Sequence, residues 1–398
     1  MLKARVAIVG GGLSGLYAAA LLEQRGMHDY VLLEARESFG GRILTVPVSS
    51  PVGDAGSYDL GATWFWPDAQ PELLGLVETL GLESFEQVEA GDMLVEHAGA
   101  QTPGRYPGYV SVPPARRIVG GMGALIEALR RRLRPESAGS AEDDSPSGGP
   151  AAGRRGPTAA LLGGCRVRRL EHAGAFIEVQ AEDGLGRAFC CRAEQVLLAV
   201  PPRLAVATIA FAPALPQALA LQWESCATWM APHAKYLAVY DTPFWRRQGL
   251  SGAARSARGP LAEIHDASAQ DGGALFGFLG VPAQVRGHVP EEALRAHCRA
   301  QLVRLFGSEA ASPRAEFLKD WAGDPHTAVA ADQDTGAHQP VRLPATASDG
   351  VWQNRLVGVA SEWSAEFSGY VAGAVDAARK GVDLLAARGG TKTAEASG

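Results

Sequence analysis

Val6-Ala7-Ile8-Val9 runs directly into Gly10-Gly11-Gly12-Leu13-Ser14-Gly15, and a helical stretch follows from about Leu16 to Arg25, stopping at Gly26. No other feature constrains the fold as much, because G-x-G-x-x-G between a strand and a helix opens a doubly wound sheet that binds dinucleotides. Gly10 permits the tight turn, Gly12 lets backbone amides approach a pyrophosphate, and Gly15 lets helix and strand pack closely. Leu13 and Ser14 belong to the turn, and phosphate then sits at the positive end of the helix that follows. The second strand, Tyr30-Val31-Leu32-Leu33, ends in Glu34, where a carboxylate can grip a ribose hydroxyl pair.

At 398 residues the chain calls for two domains. A balance of 37 Lys+Arg against 43 Asp+Glu gives a net charge of -6, so no basic footprint points to nucleic acid or an anionic membrane, and a small-molecule partner is expected. No run reaches the ~18 apolar residues of a membrane span, and no secretion signal is expected from the opening residues. The five Cys (Cys165, Cys190, Cys191, Cys226, Cys298) show no metal-type spacing and suit reduced thiols, so a cytoplasmic location is expected. From Pro135 to Ala160 there is no Val, Ile, Leu, Met or aromatic residue, which reads as a mobile insertion. Cys165 to Glu182 suggests a hairpin. Val196 to Val200 reads as a buried strand turned by Pro201-Pro202, and Leu356 to Ala360 as another. Gly123 to Leu133 and Tyr370 to Ala387 carry helical apolar stripes.

The expected fold is α/β. A Rossmann-like dinucleotide domain, discontinuous in sequence (1–66, 158–205 and 345–390), is interleaved with a mixed α+β substrate domain (67–134 and 206–344). Residues 135–157 form a flexible insertion and 391–398 a disordered tail.

After Glu34 come Ala35-Arg36, Ser38-Phe39-Gly40-Gly41-Arg42, and Asp59-Leu60-Gly61-Ala62-Thr63-Trp64. Here the sequence resembles the flavin-containing amine oxidase family, which includes monoamine and polyamine oxidases. The resemblance implies that Gly40, Gly41 and Arg42 hold the pyrophosphate of FAD, and that Gly61, Ala62, Thr63 and Trp64 lie along its isoalloxazine. An arginine fork beside bare glycine amides suits phosphate chemically. The likeness continues through Gly120-Gly121-Met122-Gly123, Val167 near the adenine, and Val200-Pro201-Pro202. Its most specific part is Ala360-Ser361-Glu362 followed by Ser368-Gly369-Tyr370 and Gly373-Ala374-Val375. Carried over, Ser361 and Glu362 serve the ribityl-phosphate part and the amide near Val371 meets the flavin's pyrimidine edge. A helix N-terminus there would stabilise negative charge on a reduced flavin.

In Ala234 to Tyr240, alternation puts Lys235 on one face with Leu237 and Val239, and an ammonium on an apolar face needs a partner or a function. Its neighbourhood resembles the family segment whose lysine holds a water against flavin N5. Tyr370 matches one wall of the family's aromatic cage, and Phe367 stands where Trp is common. Trp321 resembles a tryptophan beneath the flavin, but no tyrosine lies between it and Pro340, so the second wall is missing. His326 and His338 are not assigned catalytic roles. The same stretch has no Cys, so FAD is expected to be non-covalent, and no Arg follows Leu60-Gly61, which weakens an amino-acid substrate.

Together these features point to a FAD-dependent amine oxidase. It would transfer hydride from the carbon next to nitrogen to flavin N5, give an imine, and be reoxidised by O2 to hydrogen peroxide. Two alternatives stay open: a flavin-dependent desaturase or oxidase of a large apolar substrate, and a flavin-binding subunit without amine turnover.

Overall fold

The computed structural model describes residues 2–49, 56–133, 159–269, 272–333 and 342–389. The expected insertion (135–157), His338 and the tail (391–398) lie outside them. Most strands fall into two sheets.

The first sheet is built around Leu2–Val9, with Tyr30–Leu33 parallel on one side and Ala188–Leu198 parallel on the other. Ala160–Leu162 extends it beyond Tyr30–Leu33. The long strand Ala188–Leu198 takes the antiparallel hairpin Arg166–Ala173 and Phe176–Glu182 along its first half and the parallel strand Leu356–Gly358 along its last residues. Continuous Val, Ile and Leu runs are what strands covered on both faces require. The helices Leu13–Gln24, Gly123–Leu133 and Val371–Gly389 cover one face around Ile8, Leu16, Leu125 and Val375, while Trp223, Trp352 and Trp363 fill the other. This is the discontinuous Rossmann-like sheet the sequence implies.

Two local details differ. The strand before the proline pair ends at Leu198, and the pair starts a helix, Pro202–Thr208, with Pro201 as its N-cap. Proline is at ease there, since its φ suits the first turn and the N–H it lacks would have had no intrahelical acceptor. The short strand Ala210–Ala212 also joins this sheet, beside Arg166–Ala173.

The second sheet runs in the order Ala315–Asp320, Ala234–Tyr240, Gly273–Leu279, Leu261–Asp266, Leu250–Ser256, Asp92–Glu96, Gly104–Pro107. The helix Glu291–Phe306 packs on one face, with Cys298, Leu302 and Phe306 against Tyr236, Ala238 and Trp245. The opposite face, with Leu237, Val239 and Phe276, packs on Tyr58 and Leu60 of the dinucleotide half. Among the described residues no helix is long and apolar enough to cross a membrane, and no His, Cys, Asp and Glu group could hold a metal ion.

Candidate functional site

The turn after Leu2–Val9 is held by glycine for backbone reasons. Gly10 has φ +108°, and a Cβ on Gly15 would sit 1.9 Å from the Gly10 carbonyl oxygen. Gly12 caps the helix Leu13–Gln24 with no side-chain cap, so the first-turn amides face open space. Gly40 runs alongside, its amide donating to the Gly11 carbonyl at 2.9 Å, and Gly41 adopts φ +61° within contact of Gly12. Two bare glycine loops and an uncapped helix end thus meet at the floor of a cleft. Glu34 closes its far side, accepting from the amides of Gly11 at 2.6 Å and Arg36 at 2.9 Å.

This cleft encloses about 1100 Å³, part of it open to solvent. Gly10, Gly12, Leu13, Ser14, Glu34, Ala35, Arg36, Gly40, Gly41, Arg42, Ala62, Val167, Ser361, Tyr370 and Val371 all line it. Gly15 and Glu362 stand behind the wall. Glu362 is 0% exposed and takes the Arg42 guanidinium in a fork, at 2.6 Å and 3.0 Å, while Ser361 Oγ accepts from the same group at 3.0 Å. Burial alone would raise the Glu362 carboxyl, but Arg42 outweighs it and holds the group below the usual carboxylate range. Arg42 is therefore fixed as a cation at the cleft wall. Uncapped amides, a braced arginine and side-chain-free loops fit the pyrophosphate of a dinucleotide such as FAD.

A second cavity, about 1090 Å³ including open space, shares Arg42, Ala62, Tyr370 and Val371 with the cleft. Gly61, Thr63, Trp64, Lys235 and Trp321 line it too. Lys235 is 2% exposed. Its Nζ donates to Thr63 Oγ1 at 2.7 Å and to the Gly61 carbonyl at 3.3 Å, and lies 3.8 Å from the centre of the Phe276 ring. Burial pushes the ammonium down to about 7, although the charge of Asp59 pulls the other way. Near neutral pH it can therefore carry or release a proton. Trp321 donates from Nε1 to the Leu60 carbonyl at 3.2 Å, and Trp64 donates to Gln87 Oε1 at 2.8 Å, so both rings are held by their polar edges.

Tyr370 caps the start of the helix Val371–Gly389, its carbonyl accepting from Ala374. Its ring stacks on Trp229 with centroids 5.9 Å apart at 25° and meets Trp66 edge-on at 6.3 Å. Stacked rings at such spacing, within the ~4.5–7 Å of ordinary aromatic pairs, leave no slot for a guest. Trp229 thus backs Tyr370 rather than facing it across a substrate. His326 lines the dinucleotide cleft from the loop after Trp321, with burial and Arg36 holding its imidazole below the usual range. That loop is tied down by Asp324, which accepts from Arg36 at 2.5 Å and Lys319 at 2.6 Å.

Several wall residues escape the sequence reading: Trp66, Trp229, His233 and Phe278 line the second cavity, and Phe276 lies under Lys235. Phe278 is legible only once register is known, since it pairs with Lys235 across antiparallel strands. Trp66 follows Trp64 by two residues, a hint that was available. Trp229 and His233 carry no motif.

The model of a family described as flavin containing amine oxidoreductase matches residues 13–108 and 91–386. The chain is 27% identical to AofH of Mycobacterium tuberculosis, assigned by name to the flavin-containing monoamine oxidases, over 96% of both chains. It is 26% identical to the putrescine oxidase of Kocuria rosea, over 83% of this chain and 85% of the other. Among solved structures, cyclohexylamine oxidase from Brevibacterium oxydans shares the fold with a TM-score of 0.72 at 19% identity, covering 97% of this chain and 99% of that one.

Proposed function

Because this chain belongs to the flavin containing amine oxidoreductase family, we propose that it oxidises a small amine with FAD held non-covalently. The observation that carries the reading is the buried Lys235, hydrogen-bonded to Thr63 where the dinucleotide cleft opens into an aromatic cavity. When bound, FAD would supply the hydride acceptor for the carbon next to nitrogen, with O2 as the final oxidant and hydrogen peroxide as its product.

The chain's own residues act by position and charge. Arg42, braced by Glu362, and the first-turn amides after Gly12 hold the pyrophosphate. Glu34 faces the ribose. The N-terminus of Val371–Gly389 places positive dipole and free amides beside Val371, which favours negative charge there. Lys235 Nζ and Thr63 Oγ1 together hold a water and can exchange a proton with it. Tyr370, kept upright by Trp229 and Trp66, turns its ring face toward the amine. The apolar walls favour the neutral amine over its ammonium form, and only the neutral form has the lone pair that stabilises loss of hydride. Removal of two electrons and two hydrogens leaves an imine, which water hydrolyses.

The test is direct. Purified protein should be yellow, acid precipitation should release the flavin into the supernatant, an amine should bleach the colour anaerobically, and air should restore it with peroxide. Protein that stays colourless when supplied with FAD would overturn the proposal.

A further inference from the structure

We propose that the amine taken by this cavity is a monoamine whose non-reacting end is an uncharged ring, rather than a diamine or polyamine; this rests on the amine oxidase reading above. The walls are the rings of Trp64, Trp66, Trp229, Phe278, Trp321 and Tyr370. Walls of this kind suit a ring-bearing small molecule, whose affinity comes from apolar contact with a few polar groups to orient it.

The charges point the same way. Among the described lining residues the ionisable groups that reach the cavity are Arg42, Lys235, His233 and Tyr370. Arg42 already has Glu362 as its counter-ion. His233 lies edge-on to Phe278, and burial followed by the charge of Arg286 holds it below the usual imidazole range, so it stays neutral. A second ammonium entering here would meet cations and rings with no carboxylate to answer it, and an unpaired buried charge is costly.

An adjoining cavity, reached past Trp64 and Trp66, does contain carboxylates, but each is engaged. Asp266 Oδ2 accepts from Trp245 at 2.9 Å and Arg246 at 2.8 Å. Glu263 accepts from Arg255 at 2.7 Å and pairs with His265 at 2.8 Å. Glu89 accepts from both the amide and the hydroxyl of Ser111 at 2.6 Å. A distal ammonium there would compete with the guanidinium groups already on Asp266 and Glu263, and Glu89, bonded among the described residues to Ser111 alone, lies beyond the Trp64 and Trp66 that the two cavities share.

Butylamine and putrescine isolate the effect, since they differ by one terminal amine. The FAD-loaded protein is mixed anaerobically with each, and with phenethylamine, cyclohexylamine and spermidine, while the loss of oxidised-flavin absorbance is followed. The ring monoamines should give the highest ratio of reduction rate to Kd, and putrescine should fall at least ~10-fold below butylamine, a factor equal to about 1.4 kcal/mol. As a readout independent of turnover, cumylamine, which has no hydrogen on the carbon next to nitrogen, should perturb the flavin spectrum and compete with phenethylamine. Putrescine matching butylamine, spermidine leading the panel, or cumylamine failing to bind would each overturn the inference while leaving amine oxidation intact. Bleaching by no amine at all would instead remove the underlying reading, and this inference with it.

Discussion

Replacing Lys235 by Met removes one charge from a buried position while keeping most of the stem volume, and it separates catalysis from stability. In the folded chain burial pushes the ammonium from 10.5 down to about 7. Between those values the unfolded chain binds a proton that the native chain does not, so stability rises with pH across that window. Below it both states are charged and the full cost of burying the ammonium is present. At about 1.36 kcal/mol per unit the interval from 10.5 to about 7 corresponds to ~5 kcal/mol. The bonds to Thr63 and Gly61 and the Phe276 contact, lost with the ammonium, offset ~2–3 kcal/mol of this. Lys235→Met should therefore unfold a few degrees higher than the parent at about pH 6, with the gain fading by about pH 9.5. It should keep FAD, yet anaerobic reduction by amine should slow at least ~10-fold, the worth of one well-placed polar contact. Unchanged reduction would remove Lys235 from the mechanism. A lower melting temperature than the parent at the acid end would refute the burial argument.

Substitutions at three further positions probe the dinucleotide and substrate walls. Gly15→Ala places a methyl 1.9 Å from the Gly10 carbonyl oxygen, so the turn cannot close; the variant should be insoluble or colourless, read from the flavin-to-protein absorbance ratio. Glu362→Gln takes away the carboxylate partner of Arg42 and should weaken FAD binding at least ~10-fold in a fluorescence titration, about 1.4 kcal/mol; an unchanged Kd would show that Arg42 is held in place without it. Tyr370 is 42% exposed, so its replacements should fold normally: Tyr370→Phe should stay within about two-fold of the parent rate and Tyr370→Leu should fall by about five-fold or more, because the ring face is what acts. Equal rates for the two would remove the ring from the mechanism.

What could be read from sequence, and what could not, follows the distance over which each feature is determined. The turn at Gly10 to Gly15 was legible because its tightest contact, Gly15 against the Gly10 carbonyl, lies within the same few residues, although Gly10 and Gly11 also meet Ala199 and Phe39. Lys235 was legible for a different reason: a charge in an alternating apolar strand breaks the local rule, and such breaks mark functional or strained positions. The pairing of Arg42 with Glu362 spans 320 residues, and no spacing rule reaches that far; only the resemblance joined the two. The cavity walls were harder still. Trp229 and Phe278 become neighbours of the site through strand order and register, which is decided by the sheet as a whole. The missing second tyrosine was a correct observation about composition, but it gave no hint that a ring from elsewhere would be used to brace Tyr370. Asp59 shows the limit most clearly. It reads as an ordinary acid ahead of Leu60, yet it is buried, accepts through Oδ1 from Thr45 and Met122, and leaves Oδ2 without a hydrogen-bond partner among the described residues. Burial raises its carboxyl while it depresses the Lys235 ammonium, and each charge partly resists the shift of the other. The two groups thus form one electrostatic unit, with Lys235 lining the cavity and Asp59 buried outside its lining, so a change at Asp59 should move the titration of Lys235 even where it touches no substrate.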